Sequence, residues 1–212
     1  MMGDETAVNA AGRAYADIRA AIIRGEYAPG SMLSESTLAT SMSMSRTPVR
    51  AALGRLQQEG FVTIYPKRGA LVRELSADEV RESAQVRHAF ESAGVQLADA
   101  GAREVLGHRL AANLQQQQQA LDDGDFPGFA TLAMQFHRAF VELAGNSVML
   151  SIYDRLQDRQ YVSILRSPIV NRDPDRVMSE HHSLLRTAKH GDWAAFSMDL
   201  RAHQAHSNDL AE

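Results

Sequence analysis

The sequence predicts a mainly α-helical protein with two domains: a small N-terminal domain of three helices and a β-hairpin, followed by an all-α bundle of six helices. Apolar residues recur at helical spacing over most of the chain, and the clearest β-prone runs lie between residues 61 and 73. A Ser-x-x-Glu capping signal at 76–79 then opens a new element. We therefore place the two domains at 1–75 and 76–212.

The composition is that of an ordinary globular protein, with 212 residues of which 44% are hydrophobic and 23% charged. The absence of cysteine excludes disulfides, thiolate zinc sites and cysteine nucleophiles. No apolar run approaches the roughly 20 residues that a membrane-spanning helix needs. Charged residues within 1–20 leave no apolar core for a signal peptide. We expect a soluble, cytoplasmic protein with no membrane partner.

Charge is distributed unevenly along the chain. Residues 1–75 hold 9 Lys/Arg and 7 Asp/Glu, whereas residues 76–212 hold 13 Lys/Arg and 19 Asp/Glu. Residues 42–73 contain six basic side chains and one acidic side chain. Such a basic segment in an acidic protein is typical of a surface that faces a polyanion. A solvated charged face would also explain the charge alone, so the positions of the cations must decide.

The first helix is predicted over about 10–24, because Tyr15, Ile18 and Ile22 recur at helical spacing. Gly25 ends this helix and begins a turn-rich segment. The second element is therefore separated from the first by a loop.

Two serines are placed to cap the next two helices. Ser34 precedes a short helix over about 35–41, and Ser45 precedes a third helix that Gly60 ends. Pro48 falls in the first turn of the third helix, where a missing N–H costs nothing. The predicted buried stripe of the third helix consists of Val49, Leu53 and Leu56.

A β-hairpin is predicted after the third helix. The runs Phe61–Tyr65 and Ala70–Arg73 are β-prone, and Pro66–Gly69 between them is a turn with two cations, Lys67 and Arg68. Helix, short helix, turn, helix and basic hairpin together make a winged helix-turn-helix.

This arrangement suits DNA. A helix that begins with Arg46, Thr47 and Arg50 can enter the major groove, and a basic hairpin can reach phosphates or the minor groove. The Ser45 hydroxyl and the first-turn amides can bind a phosphate. The candidate DNA-binding residues are Ser45, Arg46, Thr47, Arg50, Lys67, Arg68 and Gly69.

Four segments, in order and at the correct spacing, closely resemble the DNA-binding domain of GntR-family bacterial transcription factors over about residues 10–74. They are Gly25–Glu35, Ser45–Leu53, Leu56–Val62 and Arg68–Val72. Ser36 occupies the position where family members often carry an arginine that contacts DNA. The resemblance therefore implies DNA binding, with an affinity or operator preference that differs from the family norm.

The rest of the chain is helical in pattern. Gly124, Gly145, the stretch 167–174 and Gly191 separate its helices. We interpret Gln115–Gln119 as an exposed helix face. Helices are predicted at about 76–101, 103–122, 126–144, 147–166, 174–190 and 192–210. A bundle of this kind is a natural place for a ligand.

Three histidines, His137, His181 and His203, lie on three different predicted helices. Spacing alone favours unrelated surface or core histidines. Their flanking residues resemble the FCD domain, the effector-binding domain of the FadR subfamily of GntR regulators, over about 76–210. The resemblance implies that the three histidines ligate a metal. The six-helix count and the short chain are similar to the VanR-type branch of that subfamily.

The ion implied by the resemblance is divalent, Zn²⁺ or Ni²⁺, which neutral imidazoles hold well. The family pattern has an aspartate four residues before the first histidine, and here that residue is Ala133. Either three histidines suffice, or the metal is weak or absent. Arg87 resembles an arginine that faces the cavity and pairs with an anionic effector, and the alternative for it is a surface ion pair with Glu91.

The expected function is that of a ligand-responsive transcription factor and not an enzyme. The resemblance implies a homodimeric repressor that binds a palindromic operator and responds to a small carboxylate metabolite. One alternative is a DNA-binding dimer with neither metal nor effector. Another is a metalloenzyme with three histidine ligands, although the sequence near them holds no general base such as the Glu of H-E-x-x-H.

Overall fold

The computed structural model describes the backbone of residues 2–74, 76–166 and 172–207, and the side chains of 10–74, 76–157 and 172–207. The chain divides into two compact units, Met1–Glu74 and Leu75–Glu212. Each unit is described separately.

The N-terminal unit contains three helices and a three-stranded antiparallel sheet of order β1-β3-β2. Its elements are α1 Met2–Ile23, β1 Met32–Leu33, α2 Glu35–Ser41, α3 Arg46–Gln58, β2 Val62–Tyr65 and β3 Gly69–Val72. The winged helix-turn-helix predicted from the sequence is confirmed. The Ser34 hydroxyl accepts a hydrogen bond from the Thr37 amide and caps α2, as expected.

The sheet contains one strand that the sequence analysis missed. β1 has only two residues, and it pairs with β3 through Met32 opposite Leu71 and Leu33 opposite Ala70. Two residues are too few to show an alternating pattern, so this strand is recognisable only from its partner.

The core of the N-terminal unit lies between α1, α3 and the sheet. The predicted apolar stripes form it, and its fully buried members include Ile18, Ile22, Val49, Leu53, Leu56 and Val62. This packing leaves the N-terminal end of α3 and the β2–β3 turn exposed on the surface of the unit.

The second unit is a bundle of six helices within its described residues, which confirms the predicted all-α architecture. They are α4 Ala77–Leu97, α5 Ala100–Asp122, α6 Phe126–Glu142, α7 Ser147–Arg166, α8 Pro174–His190 and α9 Trp193–Ser207. Ser76 and Glu79 form the predicted capping box at the start of α4. Residues 208–210, assigned to the last helix from sequence, lie outside the described residues.

α4 ends four residues earlier than the sequence predicted. The backbone of Ala98 is extended. The Asp99 carboxylate accepts a hydrogen bond of 2.7 Å from the Ala102 amide and thereby caps α5. An Asx cap of this kind competes with continuation of the helix. The predicted single break between 101 and 103 therefore falls at 98–99.

The bundle core is rich in aromatic side chains from α6, with helices α5, α8 and α9 packed around them. α4 approaches α6 so closely that a Cβ at Gly94 would lie 1.9 Å from the Phe140 carbonyl oxygen. This contact brings the inner face of α4 against the centre of the bundle. No helix among the described residues is both long and apolar enough to cross a membrane.

Candidate functional site

The N-terminal end of α3 presents the predicted DNA-reading residues. Ser45, Arg46, Thr47 and Arg50 are all exposed. Ser45 occupies the N-cap position of α3, but its side chain makes no capping hydrogen bond. The predicted N-cap position of Ser45 is therefore confirmed without a capping bond from its side chain, and its hydroxyl remains available to a phosphate.

Arg50 is held by an acidic residue of the neighbouring helix. Its Nε lies 3.0 and 3.2 Å from the two carboxylate oxygens of Glu35, and its Nη2 donates to Glu35 Oε2 at 2.7 Å. The hydrogen bonds from Arg50 lower the pKa of Glu35, so the carboxylate stays ionised. This pairing uses the Nε edge of the guanidinium and leaves Nη1 outside the contact.

The β2–β3 turn, or wing, exposes Lys67 and Arg68 at its tip. Lys67 adopts a positive φ of 63°, and the Arg68 amide donates to the Tyr65 carbonyl at 3.0 Å. Gly69 has a φ of 115°, and a Cβ there would lie 2.4 Å from the Leu33 carbonyl oxygen. Gly69 therefore shapes the wing by allowing β3 to approach β1.

Ser36 replaces the expected arginine with a short polar side chain. Its hydroxyl lies 2.8 Å from the hydroxyl of Ser34. A side chain held against the cap of its own helix has a short reach, so α2 presents no long cation at this position.

The three histidines predicted to bind metal lie together at the centre of the bundle. His137 is on α6, His181 on α8 and His203 on α9, and each is almost completely buried. One ligand atom from each lies within 4.8 Å of the others, and the Nε2 atoms of His137 and His203 are 3.2 Å apart. Among the described residues this is a group of three that could hold a metal ion.

Each of the three imidazoles also has an oxygen partner at Nδ1. The Nδ1 of His137 lies 2.8 Å from Glu91 Oε2, and that of His203 lies 2.9 Å from Glu180 Oε2. The Nδ1 of His181 lies 2.8 Å from Gln117 Oε1. Histidines that ligate metals typically donate the other ring N–H to such an acceptor, which turns Nε2 towards the ion.

Burial keeps two of these rings neutral. The pKa of His137 is well below its ordinary value, first because of desolvation and then because of electrostatic interactions with Arg87 and His203. The pKa of His181 is lowered in the same way, first by burial and then by the neighbouring imidazoles. A neutral imidazole offers the lone pair that a metal ion needs.

Arg87 is buried in the bundle. It contacts Glu91, but as a buried pair and not as the surface ion pair considered from the sequence. Its Nη2 lies 3.3 Å from Glu91 Oε1, and Tyr153 donates to the same oxygen at 2.8 Å. Burial raises the pKa of Glu91, against the opposing influence of Arg87 and Tyr153. Within the described part of the chain, the Nε of Arg87 has no hydrogen-bond acceptor, and its Nη2 has only the ion-pair contact with Glu91. The buried Nε–H of Arg87 is thus available to an anion.

Several residues of this centre were missed by the sequence analysis. The expectation that Gln115–Gln119 forms an exposed face is wrong for Gln117, which is completely buried, while the other four are exposed. A signal was present, because Gln117 lies seven residues after Leu110 and three after Leu114 on one helix face. Glu91 was considered only as a surface partner of Arg87, and no local signal linked Glu91 or Tyr153 to the histidines.

Ala133 is buried one turn before His137 on α6 and offers no oxygen to the cluster. A metal ion at this centre would therefore take three ligands from these histidines and its remaining ligands from water or an effector. The donor set fits Zn²⁺ or Ni²⁺, since both accept several imidazole ligands.

A cavity of about 420 Å³ lies beside α4 and α9, outside the histidine cluster. Arg81, His88, Arg201 and Gln204 are among its lining residues, and none of the three clustered histidines is. Gln204 lines this cavity, whereas its chain neighbour His203 points into the cluster.

The family model for bacterial regulatory proteins of the gntR family matches residues 10–72, and the FCD domain model matches residues 82–206. These ranges contain the winged helix and the histidine cluster, respectively.

A regulator from an unstable DNA locus of Streptomyces ambofaciens is 35% identical over 189 residues, covering 89% of this chain and 79% of that protein. The transcriptional repressor RspR of Escherichia coli strain K12 is 28% identical over 203 residues, covering 93% and 86%. A putative GntR regulator from Rhodococcus sp. RHA1 shares the fold, with a TM-score of 0.82 at 22% identity, covering 94% of this chain and 96% of that one. The exposed arginines of α3, the wing and these matches together place the chain in the GntR family of bacterial transcription regulators, as a DNA-binding member with an FCD domain and not an enzyme.

Proposed function

We propose that this protein is a ligand-responsive repressor of the FadR subfamily, in its VanR-type branch. It binds a palindromic operator as a homodimer and responds to a small carboxylate metabolite in the FCD domain. The observation that carries the effector half of the proposal is the convergence of His137, His181 and His203, whose ligand atoms lie within 4.8 Å of one another.

The metal half of the proposal rests on the spacing of the nitrogen atoms. Two imidazole nitrogens on one zinc ion, each at 2.0–2.1 Å with a tetrahedral angle, are about 3.3 Å apart. The Nε2 atoms of His137 and His203 are 3.2 Å apart. With a proton on each Nδ1, both Nε2 atoms present lone pairs to each other. A divalent cation would remove that repulsion, which is why we assign a metal to this position.

The effector class follows from the charges in the centre. A bound divalent ion supplies Lewis acidity to an oxygen ligand. Arg87 adds a buried guanidinium whose Nε has no acceptor among the described residues. A carboxylate can satisfy both groups, because it is an anion with two acceptor oxygens. Arg87 is thus the second anchor for the effector.

The DNA half of the proposal rests on Arg46 and Arg50, exposed at the start of α3. Recognition helices of this kind enter successive major grooves when two chains bind a palindrome. A dimer is needed because one half-site per chain provides too little specificity among genomic competitors. We assign the dimer contacts to residues 76–212, and light scattering of the full chain at micromolar concentration should report two copies. A monomer would contradict this.

The experiment for the effector combines metal analysis with thermal melting of untagged protein. We expect substoichiometric to full occupancy by zinc or nickel. The melting temperature should fall when chelator is added and should rise again when zinc is restored. A panel of small carboxylates should stabilise the metal-loaded protein further. The same carboxylates should release DNA duplexes selected by the protein from a random library.

Ala133 favours one competing function, a DNA-binding dimer with neither metal nor effector. In that case the protein would be metal-free, would refuse added Zn²⁺ and Ni²⁺, and would melt identically with and without chelator. Selected duplexes would still be bound, and no carboxylate would release them.

A further inference from the structure

We infer that Asn113 and Gln117 are positioning residues that fix the protonation of one imidazole of the cluster. They hold His181 as the tautomer with its proton on Nδ1, so that the Nε2 lone pair faces the centre. The effect on metal affinity rests on the proposed metal site, whereas the tautomer does not.

The direction of these hydrogen bonds is set by a backbone carbonyl. The backbone carbonyl of Leu132 can only accept, and Asn113 Nδ2 lies 3.2 Å from it. The amide nitrogen of Asn113 is therefore committed to Leu132, and its oxygen is turned towards the next residue. Gln117 Nε2 lies 2.6 Å from Asn113 Oδ1 and donates to it.

The same direction of hydrogen-bond donation extends to His181. Because the amide nitrogen of Gln117 is committed to Asn113, its oxygen Oε1 faces His181 Nδ1 at 2.8 Å. An amide oxygen can only accept, so Nδ1 must carry the hydrogen. The chain of hydrogen-bond donors thus runs from His181 through Gln117 and Asn113 to the carbonyl of Leu132. Leu132 lies one helical turn before Phe136.

The opposite polarity is costly. Rotating the Gln117 amide would bring two oxygens together at the 2.6 Å contact with Asn113, and rotating both amides would bring Asn113 Oδ1 against the Leu132 carbonyl. Asn113, Gln117 and His181 are all buried, so the lost hydrogen bonds would not be replaced by solvent. A single tautomer is therefore strongly preferred.

The neutral partner distinguishes His181 from the other two ligands. His137 and His203 face the carboxylates of Glu91 and Glu180, which attract a proton as well as orient the ring. An amide orients the ring without adding a negative charge. Gln117 therefore fixes the direction of the lone pair while leaving His181 neutral.

The test is nitrogen-15 NMR of the full-length, metal-free protein at about pH 7.5, with long-range correlations to the histidine ring protons. His181 is assigned by the loss of its signals in His181→Gln. We expect wild-type His181 to show the shifts of the Nδ1–H tautomer. Finding the Nε2–H tautomer in the wild type would overturn the inference without any variant.

Two substitutions and one control test the relay itself. Gln117→Leu removes the acceptor and Asn113→Leu frees the Gln117 amide to rotate, so both should give Nε2–H or mixed-tautomer signals. Gln116→Leu, on the exposed face of α5, should leave the wild-type signals. An unchanged His181 tautomer in Gln117→Leu would refute the relay.

Zinc titration with a competing chelator provides the second readout. Loss of an outer partner of a metal ligand typically costs 10–100-fold in affinity, so Gln117→Leu should bind zinc about that much more weakly than Gln116→Leu. If wild type binds no zinc, the proposed metal function fails while the tautomer result stands. Equal zinc affinity in the two variants, with wild-type binding intact, would overturn the positioning role.

Discussion

Glu35 on α2 holds the guanidinium of Arg50 on α3 by its Nε edge, with Nη2 at 2.7 Å and Nε at 3.0 Å from the carboxylate. A guanidinium has a second edge, formed by Nη1 and the outer hydrogen of Nη2, that can make a bidentate contact with a guanine. The ion pair therefore restrains Arg50 while leaving a reading edge available. The pair is exposed at Arg50, so its value is orientation more than stability.

Replacing Arg50 or Arg46 with alanine should weaken binding to a selected operator duplex. If each arginine reads a guanine edge, the loss is about 1–3 kcal/mol, or roughly 5- to 150-fold in affinity. Gel-shift titration against duplexes selected from a random library measures it. Variants that bind like wild type would contradict the assignment of α3 as the recognition helix.

Replacing Glu35 with alanine should lower specificity more than affinity. Without its partner, Arg50 is less well oriented, so the preference for selected over scrambled duplex should fall. Removal of a negative charge near DNA should also raise non-specific binding slightly. Titrations of the same variant against both duplexes give the ratio of its affinity for the selected duplex to its affinity for the scrambled one. A ratio equal to that of wild type would argue against the orienting role of Glu35.

The wing cations should contribute chiefly through phosphates. Alanine at Lys67 or Arg68 should reduce the slope of log affinity against log salt by about 1 for each lost phosphate contact. The loss should be similar for selected and scrambled duplexes. A loss confined to the selected duplex would instead assign these side chains to base reading.

Ala133→Asp should strengthen metal binding. The new carboxylate would lie one helical turn before His137, on the face that carries the cluster, and would add an anionic oxygen ligand. Zinc titration should show a lower dissociation constant than wild type. Ala133→Asn is the matched control, since it adds similar volume and no charge. An equal gain in zinc affinity in the two variants would show that the negative charge is not the cause.

The stability of the metal-free protein should fall in mild acid because of His181. Its pKa in the folded protein is lowered by burial, so the unfolded chain binds the proton more readily. The free energy of unfolding therefore decreases as pH falls below about 6.5, by up to ~1.4 kcal/mol per pH unit for one histidine. Urea titrations of wild type and His181→Gln at pH 7.5 and 5.5 should show a smaller loss in the variant. Equal losses would contradict the assignment.

Local signals in the sequence determined much of this molecule. Ser34, Ser76 and the glycines between helices mark where elements begin and end, because capping and positive φ depend on a few adjacent residues. The winged helix and the exposure of its arginines follow from such signals. The three histidines were identified by resemblance to a family, since their spacing alone did not separate ligands from core residues.

Only the tertiary structure decided what surrounds those histidines. It buried Gln117 within a run expected to be exposed, placed Glu91 against His137 across 46 positions of sequence, and enclosed Arg87 in the bundle. It also supplied the two-residue strand β1 with its partner. Each of these features depends on groups far apart in the chain meeting after the helices pack. Burial then sets which polar groups must pair, and no short stretch of sequence carries that information.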